Sequence, residues 1–184
     1  MDEKKLIRCF IAIEFSREVI NEIKEIQNKI KRKFIFNGKF TELENLHLTL
    51  KFLGEINEDK IDGIKKQLNE IKMNEFEASI GEIGVFSRKA PRILWIKLIG
   101  ADILQKEIDE CLKYYFEKEH RFMGHITIAR IKYVKEKKEF NEYLRNLKGH
   151  GSFKVSKFIF KKSVLSTEGP EYSDIQYYPL LKEK

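Results

Sequence analysis

The sequence predicts an α+β fold in two similar halves arranged around one shared cleft. Three observations carry this reading. Leu46-His47-Leu48-Thr49-Leu50 and Gly124-His125-Ile126-Thr127-Ile128 both place His-x-Thr inside an apolar, β-branched run, the pattern of a strand with a polar pair on one face. Strand-like and helix-like segments follow one another in the same order before and after residue 90. With 184 residues and 42% hydrophobic content, the chain can bury a core as one domain or two tightly joined lobes.

Taken in order, Leu6–Phe15 is rich in Ile and Phe and reads as a buried strand. Ser16 then suits an N-cap, ahead of an apolar stripe at helical spacing formed by Val19, Ile20, Ile23, Ile26 and Ile30. Gly38 is expected in a turn, with a short edge strand near Phe40–Leu43. The first His-x-Thr strand spans Leu46–Leu53 and is expected to stop at Gly54. A helix over Glu58–Lys72 and a strand over Phe76–Phe86, bent at Gly81 and Gly84, complete the first half. The second half reads as a strand at Arg92–Ile99, a helix at Ala101–Phe116, the second His-x-Thr strand at Phe122–Ile131 and a charged helix at Lys135–Leu147. Gly149-His150-Gly151 is expected to turn into one strand from Phe153 to Phe160, extended towards Leu165. Gly169-Pro170 makes a turn before a last short strand near Ile175–Leu181.

The expectation is a single domain over 1–184, made of structural repeats at about 6–87 and 92–167 plus a C-terminal strand. His47 precedes Phe76 by 29 residues and His125 precedes Phe153 by 28. Two halves of one topology usually pack about a pseudo-twofold axis. An axis between the His-x-Thr strands would bring both motifs to a common cleft.

Composition narrows the function classes. No run of about 18 apolar residues exists to span a membrane. The charged start Met1–Lys5 lacks the apolar region and cleavage site of a secretory signal, which predicts a cytoplasmic protein. Cys9 and Cys111 lie in strand-like and helix-like runs, so two free thiols are expected rather than a disulfide. Neither belongs to a CxxC pair, and the four histidines show no metal-ligand spacing. Residues 113–162 hold fourteen Lys/Arg against five Asp/Glu in a chain of net charge +7. That half suits a polyanion, nucleic acid first, and equally the Lys/Glu-rich solvated surface common in heat-adapted proteins.

Residues i and i+2 of a strand share a face, so His47 pairs with Thr49 and His125 with Thr127. One histidine on an apolar strand usually belongs to the core. Two in the same motif, at matching places in an internal repeat, point to chemistry. Imidazole titrates near neutrality, so one copy can hold a proton while the other accepts one. Displacement at phosphorus needs that combination: a base for the attacking oxygen and an acid for the leaving oxygen. Thr49 and Thr127 can hold non-bridging phosphate oxygens. No Mg²⁺ site is evident, and no cofactor is expected. Arg130 and Phe52 each follow their histidine by five residues. An odd offset on an ideal strand points away from the histidine face, so both need a twist or a strand end to reach the cleft. There, guanidinium and ring could take a nucleobase by stacking. His120 and His150 read as an exposed helix end and a turn. Tyr172 reads as a residue that packs a closing loop. Lys132, Lys135, Lys137 and Lys138 read as a solvated helix face or an RNA-backbone track.

The runs Asn45-Leu-His-Leu-Thr-Leu-Lys-Phe-Leu-Gly-Glu55 and Phe122-Met-Gly-His-Ile-Thr-Ile-Ala-Arg130 resemble the paired signatures of the 2H phosphoesterases. Within them the match is to the LigT-type branch, the RNA 2′,3′-cyclic phosphodiesterases also called 2′-5′ RNA ligases. Arg8-Cys9-Phe10-Ile11-Ala12-Ile13, Pro91-Arg92-Ile93-Leu94-Trp95 and Ser163–Tyr172 resemble the family's opening, middle and closing segments, so the resemblance covers essentially the whole chain. Gly124 departs from it, standing where the family usually has Pro.

The resemblance implies a bilobal, duplicated fold: pseudo-twofold-related lobes of antiparallel sheet, with outer helices, around a central cleft. It also implies hydrolysis of terminal ribose 2′,3′-cyclic phosphate to a 2′-phosphate, with reversible 2′-5′ joining. His47 would protonate the departing 3′ oxygen and His125 would activate water, although pseudo-symmetry leaves the exchange of these roles open. Thr49, Thr127, Arg130 and Phe52 would bind substrate. The partners would be RNA ends, including tRNA halves and small oligonucleotides, met by a monomer without a membrane. Other readings change the substrate to 2′-5′ oligonucleotides or small cyclic nucleotides, or make the chain a non-catalytic RNA-binding module.

Overall fold

Apolar residues alternating along β1 (Leu6–Ile13) are drawn to the centre of one sheet, where Cys9, Ile11 and Ala12 are fully buried. The structure is a computed structural model that describes residues 5–167 and 169–182; the charged start at Met1–Lys4 lies outside them. Ser16 caps α1 (Arg17–Lys33) by accepting from the Val19 N–H, and Val19, Ile23, Ile26 and Ile30 form its buried face. Then come β2 (Asn37–Phe40), β3 (Leu48–Asn57), α2 (Ile61–Leu68), β4 (Phe76–Val85), β5 (Ile93–Ile99), α3 (Asp102–Cys111), β6 (His125–Tyr133), α4 (Lys137–Arg145), β7 (Lys148–Val155), β8 (Lys157–Leu165) and β9 (Pro170–Pro179).

The strands form one open antiparallel sheet in the order β7-β4-β5-β6-β3-β1-β8-β9, with β2 also paired to β6. This order is a palindrome about the β6/β3 junction. It matches β6 with β3, β5 with β1, β4 with β8 and β7 with β9. The 29- and 28-residue spacings to Phe76 and Phe153 therefore link neighbours in the sheet, where Phe76 opposes Val155, rather than symmetry counterparts. Chain order is exchanged between the lobes: β4 lies beside β5, and β8 beside β1. The helices follow suit, with α1 packed on β7 and α3 on β3. At the junction, Leu48 and Ile126 form the one ladder pair between β3 and β6. The lobes splay from there and open the cleft.

Several elements differ from the sequence reading for identifiable reasons. Gly38 lies within β2, not a turn, because a Cβ there would meet the Arg130 carbonyl oxygen at 2.2 Å. The short strand accordingly falls at Asn37–Phe40 rather than Phe40–Leu43. β3 runs past Gly54, whose φ of 73° accommodates an irregularity where Cys9 opposes Gly54 and Phe10 opposes Phe52. Gly149, His150 and Gly151 belong to β7, where Gly149 leaves room for Ile80. The single strand expected from Phe153 is two, broken at Ser156. Helices α2 and α3 end sooner than their apolar spacing suggests because their last turns tighten. Ile71 N–H bonds to Leu68 O and Tyr115 N–H to Leu112 O, the three-residue spacing of a 3₁₀ turn. Both cysteines are free thiols, Cys9 buried in β1 and Cys111 donating to the Gln67 carbonyl.

Among the described residues, one ion pair is buried on both sides: Lys51 of β3 meets Asp109 of α3, with 5% and 6% of their side chains exposed. Lys51 also donates to the Glu117 carbonyl, while Asp109 accepts from Gln105 Nε2 and the Glu119 N–H. The network ties β3 to the segment that leads into β6. Removing one partner leaves a buried charge uncompensated, at about 3–5 kcal/mol. Asp109→Ala is expected to cost that much in urea unfolding, with much of it recovered in Lys51→Met/Asp109→Leu.

Candidate active site

The site is built from the β6/β3 junction outward. Leu48 and Ile126 face the core, fully buried, so the residues flanking them face the cleft. The antiparallel direction through that pair sets His47 opposite Thr127 and Thr49 opposite His125. All four line one cleft of about 710 Å³. His47 follows a 3₁₀ turn at Leu43–Asn45, and its Nδ1 lies 2.8 Å from the Asn45 carbonyl oxygen. His125 Nδ1 lies 2.8 Å from the Met123 carbonyl oxygen. A carbonyl only accepts, so Nδ1 carries the hydrogen in both rings, and each neutral imidazole keeps its lone pair on Nε2. Gly124 fits between Met123 and His125 because a Cβ there would stand 2.5 Å from the Leu98 carbonyl oxygen, and its own carbonyl accepts the Leu98 N–H at 2.9 Å.

The odd offset of Arg130 and Phe52 is resolved by a matched pair of bulges. Along β3, Ile11 opposes Lys51 and Ala12 opposes Thr49, which leaves Leu50 as the extra residue. Along β6, Leu94 opposes Ala129 and Trp95 opposes Thr127, which leaves Ile128 extra. Leu50 and Ile128 each stand three residues after their histidine. Two consecutive residues then turn inward, Leu50-Lys51 and Ile128-Ala129. Phe52 and Arg130 are thereby returned to the histidine face, and both line the cleft.

All six residues singled out from the sequence thus meet at one cleft, but the guanidinium stacked on Phe52 is that of Arg8, 4.7 Å from the ring centroid. Arg8 and Phe10, from β1, also line the cleft, as does Lys39, directly opposite Arg130 in the β2–β6 ladder. The sequence signal for Arg8 was a charged residue inside the apolar run Leu6–Ile13, which the strand reading passed over. Tyr172 lies in β9 rather than in a loop and packs edge-on against His47 at 5.1 Å. Phe86 does the same to His125 at 4.9 Å. His120 and His150 are exposed away from the cleft.

Burial lowers the His47 pKa, and the nearby Lys161 charge and the facing His125 ring act in the same direction, against the Asn45 carbonyl and Glu14. Lys161 is itself buried, 2.6 Å from Glu14 and also paired to Asp174. Burial raises the Tyr172 pKa, and Arg130 and Arg8 pull it the other way. The cleft therefore gathers positive groups around two imidazoles and two hydroxyls, a set suited to an anion. Among the described residues, no group of three or more His, Cys, Asp or Glu is arranged to hold a metal ion, and no helix is long and apolar enough to cross a membrane.

Residues 13–95 and 101–172 match the model of the LigT like Phosphoesterase family. The chain belongs to that family. Its two matched segments each contain one His-x-Thr strand. It is 33% identical over 177 residues to the RNA 2′,3′-cyclic phosphodiesterase of Methanocaldococcus jannaschii, which covers 92% of this chain and 99% of the relative. The fold is similar to that of TT0787 of Thermus thermophilus, with a TM-score of 0.83 at 22% identity, covering 97% of this chain and 100% of the other. It is also similar to E. coli LigT complexed with 3′-AMP, with a TM-score of 0.77 at 21% identity, covering 96% and 99%. The bilobal, duplicated fold expected from the resemblance is the one the structure has.

The His47 environment gives a measurable expectation. Followed by NMR, the His47 ring should titrate below the ordinary imidazole value of about 6.5. Saturating inorganic phosphate should move the midpoint upward, because a neighbouring anion favours the imidazolium.

Proposed function

We propose that the chain is an RNA 2′,3′-cyclic phosphodiesterase that hydrolyses a terminal ribose 2′,3′-cyclic phosphate to a 2′-phosphate. The observation that carries the reading is the pair of imidazoles lining one cleft, each with Nδ1 bound to the carbonyl two residues before it. That arrangement commits both Nε2 atoms to proton exchange with whatever occupies the cleft. The name of the M. jannaschii relative supports the choice of substrate.

In the proposed step, His125 Nε2 takes a proton from water, whose oxygen forms the new bond to phosphorus. The bond to the 3′ oxygen breaks, and His47 Nε2–H protonates that oxygen. The 2′-phosphate remains, the proton taken by His125 returns to solvent, and His47 regains one from solvent for the next turnover. The Thr49 and Thr127 hydroxyls hold non-bridging oxygens, while Arg130 offsets their charge. A phosphate anion beside His47 opposes the effect of burial and keeps its proton available at neutral pH. The stacked Arg8–Phe52 pair offers a platform for the terminal base. With an RNA 5′-hydroxyl in place of water, the same exchange joins ends through a 2′-5′ bond, and run in reverse it opens that bond. The substrates in this reading are RNA ends, tRNA halves among them, bound by a cytoplasmic monomer without a cofactor. The sequence duplication at about 6–87 and 92–167, closed by a C-terminal strand, is proposed as the origin of the paired site.

General acid and base catalysis each contribute about 10²–10⁴-fold. His47→Ala and His125→Ala should each lower kcat on an oligoribonucleotide with a 2′,3′-cyclic end by at least that range, with an unchanged unfolding transition. Full activity in either variant would overturn the mechanism. Product analysis should show a 2′-phosphate; turnover of 2′-5′ linked oligonucleotides or small cyclic nucleotides in preference to cyclic RNA ends would change the substrate.

A further inference from the structure

Gln27 of α1 is buried, with 3% exposed, far along the sequence from either His-x-Thr strand. Its Nε2 donates two hydrogen bonds, to the Thr41 carbonyl at 2.9 Å and to the Ile128 carbonyl at 3.0 Å. Both amide hydrogens are thereby used. Ile128 is the extra residue of the β6 bulge. Its carbonyl also accepts the Thr41 N–H at 3.0 Å. Thr41 lines the cleft and opens the segment that contains Asn45, the residue whose carbonyl holds His47.

We propose that Gln27 is a positioning residue that sets the β6 bulge, and through it the placement of Arg130 in the cleft. A bulge leaves one residue outside the regular ladder with β5, and the Ile128 carbonyl takes its donors from the β2 side, the Thr41 N–H and Gln27. Gln27 supplies one from a helix that cannot shift without unpacking Ile23, Ile26 and Ile30 from the core. Without it, Ile128 could return to the ladder, and the register change would turn Arg130 away from the histidine face. The other lobe supports the principle. Beside the matching bulge at Leu50, Lys51 is held by Asp109 of α3. Each bulge thus has a buried polar tie to a helix, by different chemistry.

The inference rests on the reading of Arg130 as a ligand contact, and the test separates the two. Gln27→Met keeps the length of the side chain and removes the amide. Adenosine 3′-phosphate is the probe, with affinity measured by calorimetry in wild type, Gln27→Met, Arg130→Ala and the double variant, alongside thermal unfolding of all four. Gln27→Met should weaken binding by roughly 10-fold, the scale that small misplacement of a ligand contact can reach. In the Arg130→Ala background the same change should alter binding less than about 2-fold, because additivity fails for residues that act through one another. A merely structural role would shift both backgrounds equally. Equal weakening in both backgrounds, or unchanged binding in Gln27→Met, overturns the proposal while leaving Arg130 in place. Wild-type affinity in Arg130→Ala overturns the ligand contact first, and the positioning role with it. If Gln27→Met does not fold, Gln27→Asn, which withdraws the amide by one methylene, is judged by the same criterion.

Discussion

The site depends on one backbone pairing, Leu48 against Ile126, where β3 meets β6. Both residues stand one position after a His-x-Thr histidine, so a shared pair fixes both motifs at once. Because side chains alternate along a strand, anchoring Leu48 and Ile126 in the core presents His47, Thr49, His125 and Thr127 to the opposite face. The ladder does not continue, so the lobes diverge from this pair and the cleft lies on the face opposite its side chains. A longer ladder would bring the motifs equally close but leave less room between the lobes for a ligand.

The matched bulges extend this logic. A strand with perfect alternation would send Arg130 and Phe52 to the core with Ile128 and Leu50. One inserted residue in each strand returns them to the histidine face, at the same offset in both lobes. The inward position gained beside each bulge has been filled differently. Ala129 needs no partner, whereas Lys51 requires Asp109, Glu117 and the surrounding network. Symmetry of backbone is thus kept while symmetry of charge is not. Burial and the Lys161 charge bear on His47 in the same one-sided way, lowering its proton affinity.

Much of this was legible in the residues. The His-x-Thr pairs, their flanks and the restart of the strand–helix order gave the fold class, the family and six of the residues that line the cleft. The odd offset of Arg130 and Phe52 was legible as a problem, and its solution was not, because a bulge is decided by the partner strand. Arg8 was missed since a charge in a buried strand has no meaning until its neighbours are known. Tyr172 was placed in a closing loop because Gly169-Pro170 reads as a turn, yet the chain pairs at once with β8 and carries the ring to His47. The glycines at 38 and 149 read as turn-formers and instead permit close contact between strands, which conformational preference alone does not distinguish.

By itself the sequence determined which residues could carry chemistry, because the acid–base range of imidazole and the period of a strand are local properties. It also determined that there would be two such sets, through its internal repetition. Only the tertiary structure decided how the halves combine. The palindromic strand order exchanges β4 and β8 between lobes, with β4 paired to β5 and β8, which follows β7 across Ser156 alone, paired to β1. It likewise decided which guanidinium lies on Phe52 and that burial lowers the proton affinity of His47. Those outcomes come from cross-strand neighbours and desolvation, which exist only once distant segments have met.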